Sequence, residues 1–289
     1  MSSKRWRQLV LAALGALALA GCHKPVEVHP ALWLVEGPNG QKAWLFGTIH
    51  ALHDPVDWRS DKIESALRGS DSLLVEVAHI EQAPAIFAEL SHSPGLPPLR
   101  ERVSPAMRPA FDAVMAKYKL DPATFDGLET WAAALALQQA IAAQEGIENE
   151  NGVDRALVAD YMGPVDEFEG ARRQLAIFDG LAEEDQRVLL ESALRDGAQP
   201  KGNDLSVQQG WANGNLQPII AETERGFLND PELRTALLTG RNRAWTARLV
   251  ALLRGGAHPF VAVGAGHMAG PEGLPALLAA QGYNVTRIQ

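Results

Sequence analysis

The sequence predicts an α/β fold: a central mixed sheet flanked by helices, with a helical insertion in the middle of the chain. Three observations carry that reading. Apolar runs that are continuous rather than alternating, such as "KAWLFGTIH", "DSLLVEVA" and "PFVAVGAGH", read as strands buried on both faces. Segments with helical spacing separate these runs, which is the order of an α/β sheet. Between about residues 100 and 250 the helical segments are too many for simple crossovers, so some of them form an insertion over the sheet's edge or its ligand end.

The chain opens on "MSSKRWR", a positive region, then "LVLAALGALALA", an apolar stretch too short to span a bilayer, then "LAGC". This is the pattern of a secretory signal over residues 1–21, and the small residues before Cys22 give the cleavage site the form of a lipobox. An ordinary signal peptide or an uncleaved anchor is the bland alternative. The chain's single cysteine standing at this position favours lipidation of Cys22. Residues 22–31 then read as a lipidated tether and residues 32–289 as one domain with a sizeable core. No cysteine remains for a disulfide in the fold. Removing Met1 to Gly21 takes away Lys4, Arg5 and Arg7 and no acid, so the net charge goes from −9 to −12. Such an acidic domain is a poor partner for nucleic acid, whose phosphates are neutralised by Lys and Arg. His23, not aspartate, follows the cysteine, which favours the outer membrane for a lipid-anchored, periplasm-facing protein.

Within the domain, "ALWLVEG" and "KAWLFGTIH" flank "PNGQ", an Asn-Gly hairpin signal. "DKIESALRGS" has helical spacing and "DSLLVEVA" is the third strand. "SPAMRPAFDAVMAKYKL" places Met107, Phe111, Val114, Met115 and Tyr118 on one helical face. "TWAAALALQQAIAAQEG" reads as a largely buried helix stopped by Gly146. "NGVDRALVADYMG" is another helix, and "PVDEFEG" is a short fourth strand. Helices follow through "RRQLAIFDGL" and "EEDQRVLLESALRDG". The polar "GAQPKGNDLS", residues 197–206, reads as a loop or lid. Helices around "SVQQGWANG" and "LRTALLTGRNRAWTARLVALLRGG" lead to the strand "PFVAVGAGH", the helix "PEGLPALLAAQG" and the last strand "YNVTRI".

Two strands end in the same way. "GTIH" and "GAGH" put His50 and His267 after a glycine at a carboxyl end, where open α/β sheets bind their ligands. Glycine is expected there to let the backbone bend and turn the imidazole inward. Glu76, inside the apolar "LLVEVA", is costly to bury without a cation, a donor or a metal. Glu169 in "DEFEG" is offered by the fourth strand. Two imidazoles and one or two carboxylates suit a divalent transition metal with an open position for water. The bland alternative is that each histidine is a hydrogen-bonded structural residue and that Glu76 pairs with a core arginine, Arg241 in "GRNRAW". Asp154 reads as a first-turn helix acid. His53, His79, His92 and His258 read as surface residues, and Trp33, Trp44, Trp131, Trp211 and Trp245 as core or cap. No Gly-x-Ser-x-Gly, His-Glu-x-x-His, phosphate loop or dinucleotide fingerprint is present.

From about Leu32 to Ile288, "WLFGTIH", "LLVEVA", "GVDRAL", "GRNRAW" and "FVAVGAGHMAGPEGLPALLAAQGYNV" together resemble the TraB/GumN family, to which the animal Tiki membrane proteases are related. The resemblance implies a domain similar to the erythromycin-esterase and ChaN-like group, and metal-dependent hydrolysis of a peptide or protein substrate. It matches His50, His267 and Glu76 to the family's motif residues. In the resulting expectation His50, Glu76 and His267 bind the metal, and Glu169, or Glu76 if it is not a ligand, moves the proton. Arg241 and Asn242 orient the carboxylate or stabilise the oxyanion. The alternative is a non-catalytic haem-, iron- or peptide-binding lipoprotein. The chain departs from relatives at Glu76-Val-Ala78, where they often carry Glu-x-Asp, and at "FEG", 168–170, where they read "LET".

Overall fold

The computed structural model describes residues 25–199 and 206–289. The predicted signal, Cys22 and six residues of the 197–206 segment lie outside the described residues. Six strands form the main sheet in the order β6-β5-β7-β3-β2-β8. Their ranges are β2 Leu32–Glu36, β3 Lys42–Thr48, β5 Ser72–Val75, β6 Val165–Glu167, β7 Pro259–Gly264 and β8 Asn284–Arg287. A separate parallel pair joins β1, Val26–Glu27, to β4, Val56–Asp57. The stretch expected to be a tether is therefore docked on the domain from Val26 onward, and Val28 is buried.

The sheet is mixed for a local reason. The Asn-Gly turn folds β2 back on β3 in antiparallel register, Leu34 opposite Trp44. Helical crossovers make β3, β7, β5 and β6 parallel to one another. Both faces are covered. Phe46, Phe260 and Leu73 pack with Ile63, Trp58 and Trp211 on one side. Leu45, Val261 and Leu74 pack with Trp245, Leu249, Leu274 and Leu278 on the other. This two-sided burial is why the central strands lack alternation in sequence.

The predicted insertion has its own core of Phe111, Tyr118, Leu137, Leu190 and Leu194. At about 1.5–3 kcal/mol for each fully buried large apolar side chain, that cluster is a further core beside the sheet's two. Two helices differ from expectation. The one around Phe111 starts as a 3-10 turn, Pro105–Met107, and is α-helical over Arg108–Lys117, with Pro109 in its first turn, where a missing N–H does no harm. The long helix before β7 is broken by a π segment, Thr235–Thr239, between Pro231–Arg234 and Gly240–Arg254. A Cβ on Gly240 would lie 2.5 Å from Thr235 O, so only glycine permits that turn.

Candidate functional site

Parallel pairing aligns four carboxyl ends on one edge of the sheet. Thr48 is in register with Gly264, and Val75 with both Ala262 and Glu167. The residues just beyond these positions are His50, His267, Glu76 and Glu169. Helix Gly240–Arg254 brings Arg241 and Asn242 over the same edge in its first turn.

The two imidazoles share one design. His50 Nδ1 lies 2.7 Å from Asp154 Oδ2, and Thr48 Oγ1–H donates to the other Asp154 oxygen. His267 Nδ1 lies 2.6 Å from Asn242 Oδ1, while Asn242 Nδ2–H donates to Glu272 O at 2.7 Å, which leaves the amide oxygen for the ring. An Nδ1–H on each ring has a fixed acceptor, and Nε2 of His267 faces Arg241 Nη1 at 3.3 Å. Ligating histidines are oriented in this way by their outer partners.

Gly264 lies between the rings and the carboxylate. A Cβ there would stand 3.2 Å from His50 Nε2 and 3.3 Å from Glu76 Oε1. Its φ is −48°, well outside the left-handed region, so the expected role of glycine in bending the strand end is replaced by a need for empty space.

Glu76 is buried with three donors. Oε1 accepts from Gly264 N at 2.8 Å, and Oε2 accepts from Arg241 Nη2 at 2.6 Å and Gln174 Nε2 at 3.0 Å. Glu169 accepts Arg241 Nε at 3.1 Å on each oxygen, Arg241 Nη2 at 2.8 Å and Trp245 Nε1 at 3.1 Å. Arg241 Nη1 donates to Leu237 O at 3.1 Å and lies 3.3 Å from His267 Nε2. Its guanidinium sits 4.6 Å from the Trp245 ring, which in turn lies 4.5 Å from the His267 ring and 4.9 Å from Phe168. The core-arginine pairing of Glu76 is therefore present. Glu169 is tied into the same ion pair, and Asn242 faces His267 with its side chain fully engaged.

Proton affinities follow from these contacts. Asp154 beside His50 raises that ring to about 9. Burial pushes His267 down to about 4, with Arg241 and His50 adding to the effect and Glu76 opposing it. Burial raises Glu76, but His267, Arg241, His50 and the Gly264 N–H outweigh it and hold the carboxyl at about 2. Glu76 and Glu169 share one guanidinium and Asp154 pairs with the His50 ring, so with that ring protonated the cluster carries one formal net negative charge.

That charge and two imidazoles beside a buried carboxylate are donor types that suit a divalent cation with nitrogen and oxygen ligands. His50 and His267 are anchored at Nδ1, His267 Nε2 faces Arg241 Nη1, and Glu76, the third candidate donor, is engaged with Arg241. Among the described residues no group of three His, Cys, Asp or Glu side chains converges around one point. Ala78 supplies no side-chain donor, and its N–H is bound to Glu167 Oε2 at 2.7 Å.

Sequence reasoning missed four contributors: Asp154 as the partner of His50, Thr48, Gln174 and Trp245. Asp154 does sit in the first turn of its helix, Val153–Asp160, but its contact with His50 spans 104 positions and has no local signature. Trp245 was legible, since it stands four residues after Arg241 and so on the same helical face. His53, His79 and His92 are exposed and His258 is half-buried. Trp33, Trp131, Trp211 and Trp245 are buried.

No curated protein and no solved structure matches the chain. The model of the TraB/PrgY/gumN family matches residues 31–287, and the chain belongs to the TraB/PrgY/gumN family.

Proposed function

We propose that the strand-end cluster is the active site of a hydrolase of peptide bonds and that it works with a divalent transition metal. The observation that carries this reading is the matched pair of imidazoles at one edge of the sheet, each with Nδ1 tied to an acceptor, beside the buried carboxylate of Glu76. The negative balance of the cluster and the likeness of its motifs to those of the Tiki proteases support it further.

His50 and His267 would hold the ion through Nε2, with Glu76 as the oxygen donor. When bound, the ion supplies a water whose pKa is lowered towards neutrality. Asp154 and Asn242 keep the two rings from turning, which second-partner residues commonly contribute at 10–100-fold in affinity or activity. Trp245 and Phe168 wall the His267 side with apolar surface, which strengthens the charges inside. Arg241 holds Glu76 and Glu169 in place.

Elemental analysis of the purified domain should find a transition metal near one per chain, and a His50→Ala/His267→Ala variant should lose it. Metal retained by the double variant would overturn the ligand assignment. Metal present with no cleavage across a peptide library would overturn the hydrolase.

We propose also that Cys22 carries lipid and holds the domain on the periplasmic side of the outer membrane. Support comes from the lipobox and from His23. No described helix is long and apolar enough to cross a membrane. Cys22→Ser should abolish palmitate incorporation and release the protein into the soluble envelope fraction. A variant that still incorporates label sinks this reading.

A further inference from the structure

The place where an ion would sit already has a cation beside it. Arg241 Nη1 is 3.3 Å from His267 Nε2 and Nη2 is 2.6 Å from Glu76 Oε2, so one guanidinium faces two of the three donors. Its side chain is only 11% accessible, and that of Glu76 9%, so water does little to weaken the pair. Arg241 is also held by Glu169, through Nε and through the same Nη2, and by the face of Trp245. Glu76 Oε1 is fixed by the Gly264 N–H. The oxygen that Arg241 holds is Oε2, which also accepts from Gln174 Nε2 at 3.0 Å.

We propose that Arg241 is the resident counter-ion of this site, and that a divalent ion takes Glu76 Oε2 from it while the guanidinium stays on Glu169. The Arg241–Glu76 bridge and an ion–Glu76 bond are then mutually exclusive, and Arg241 sets how tightly the ion is held. This rests on the metal-dependent reading above. The arrangement has a physical purpose in the ion-free chain: a carboxylate this deeply buried is costly without a partner, and Arg241 provides one until the ion arrives. The π segment Thr235–Thr239 lies just before Arg241, and such segments recur where a helix serves a functional site.

Cobalt(II) is the probe, because its visible absorption reports the ligand set and its affinity is accessible to calorimetry. Wild type, Arg241→Gln, Arg241→Lys and His50→Ala/His267→Ala are titrated after circular dichroism has checked that each is folded. Lysine keeps a charge for Glu169, but a single ammonium cannot fork across both carboxylates, so it too frees Glu76. Either folded arginine variant should bind cobalt at least tenfold more tightly than wild type. Equal or weaker binding overturns the proposal.

The wild-type chain gives a second test that no folding defect can spoil. The guanidinium resonances of 15N-arginine-labelled protein assigned to Arg241 should shift on zinc saturation, and unchanged resonances with zinc bound overturn the proposal. Binding that depends on the two histidines but is indifferent to Arg241 sinks the counter-ion role alone. No histidine-dependent binding in any variant sinks the ion site and the counter-ion role together.

Discussion

Glu169→Ala is expected to lower the free energy of unfolding by about 3–5 kcal/mol, the cost of removing one partner from a buried ion pair. The carboxylate is 5% accessible and Arg241 11%. Its loss leaves the guanidinium with Glu76 as its one remaining carboxylate and leaves Trp245 Nε1–H without an acceptor. The second deficit alone is worth about 1–3 kcal/mol for a buried donor. Glu169→Gln should fall between wild type and the alanine variant, since an amide oxygen can still accept from Trp245 but offers Arg241 no charge. Urea unfolding read by circular dichroism measures both variants. A residue whose work is to carry a proton in the reaction would show the opposite pattern, with activity lost and stability nearly intact. A loss below about 1 kcal/mol for the alanine variant, within the range of exposed pairs, would mean that solvent reaches the pair and that Glu169 is not its anchor.

That prediction turns on something the sequence does not display. Glu169 and Arg241 lie 72 positions apart, and Glu76 and Arg241 lie 165 apart. What was legible was the demand for a partner: a carboxylate inside an apolar strand must find a cation, and Arg241 meets that demand. The converging strand ends were legible too, because two-sided burial writes a continuous apolar run and the histidine marks where each run stops. The count of partners was not. Nothing local distinguishes a carboxylate with one free oxygen from one whose two oxygens are both taken, so the ties on both oxygens of Glu169 emerge only once its neighbours are placed. Gly264 shows the same limit. Its residue type points to backbone freedom, whereas the site needs the absence of a side chain between His50 and Glu76. The π segment is hidden for a related reason, since Gly240 within a helical pattern looks like a weak helix position and not like the one residue that clears Thr235 O.

In the ion-free state the two imidazoles should give the protein a stability maximum near pH 6.5, with losses on both sides. His267 has its pKa lowered from 6.5 to about 4, first by burial. Between those values the unfolded ring binds a proton that the folded ring refuses, so stability falls as the pH drops from 6.5 towards 4. At roughly 1.36 kcal/mol for each tenfold change in proton affinity, the loss reaches about 3 kcal/mol at most. His50 has its pKa raised from 6.5 to about 9, chiefly by Asp154. Here the folded ring keeps a proton that the unfolded ring has lost, so the stabilisation is complete below 6.5 and disappears as the pH rises through 9. The His50 side chain is 66% accessible, so solvent screening makes the alkaline limb the shallower one. Glu76, held at about 2 instead of 4.5, steepens the acid limb only below 4.5. Unfolding midpoints in chelator from pH 4 to 9 test the shape, and variants assign the limbs. Asp154→Asn should flatten the alkaline limb alone, and His267→Gln the acid limb between 6.5 and about 4.5. Stability that climbs steadily from 6.5 to 9, or an acid limb untouched by His267→Gln, would mean that the rings do not occupy the two opposed environments described above.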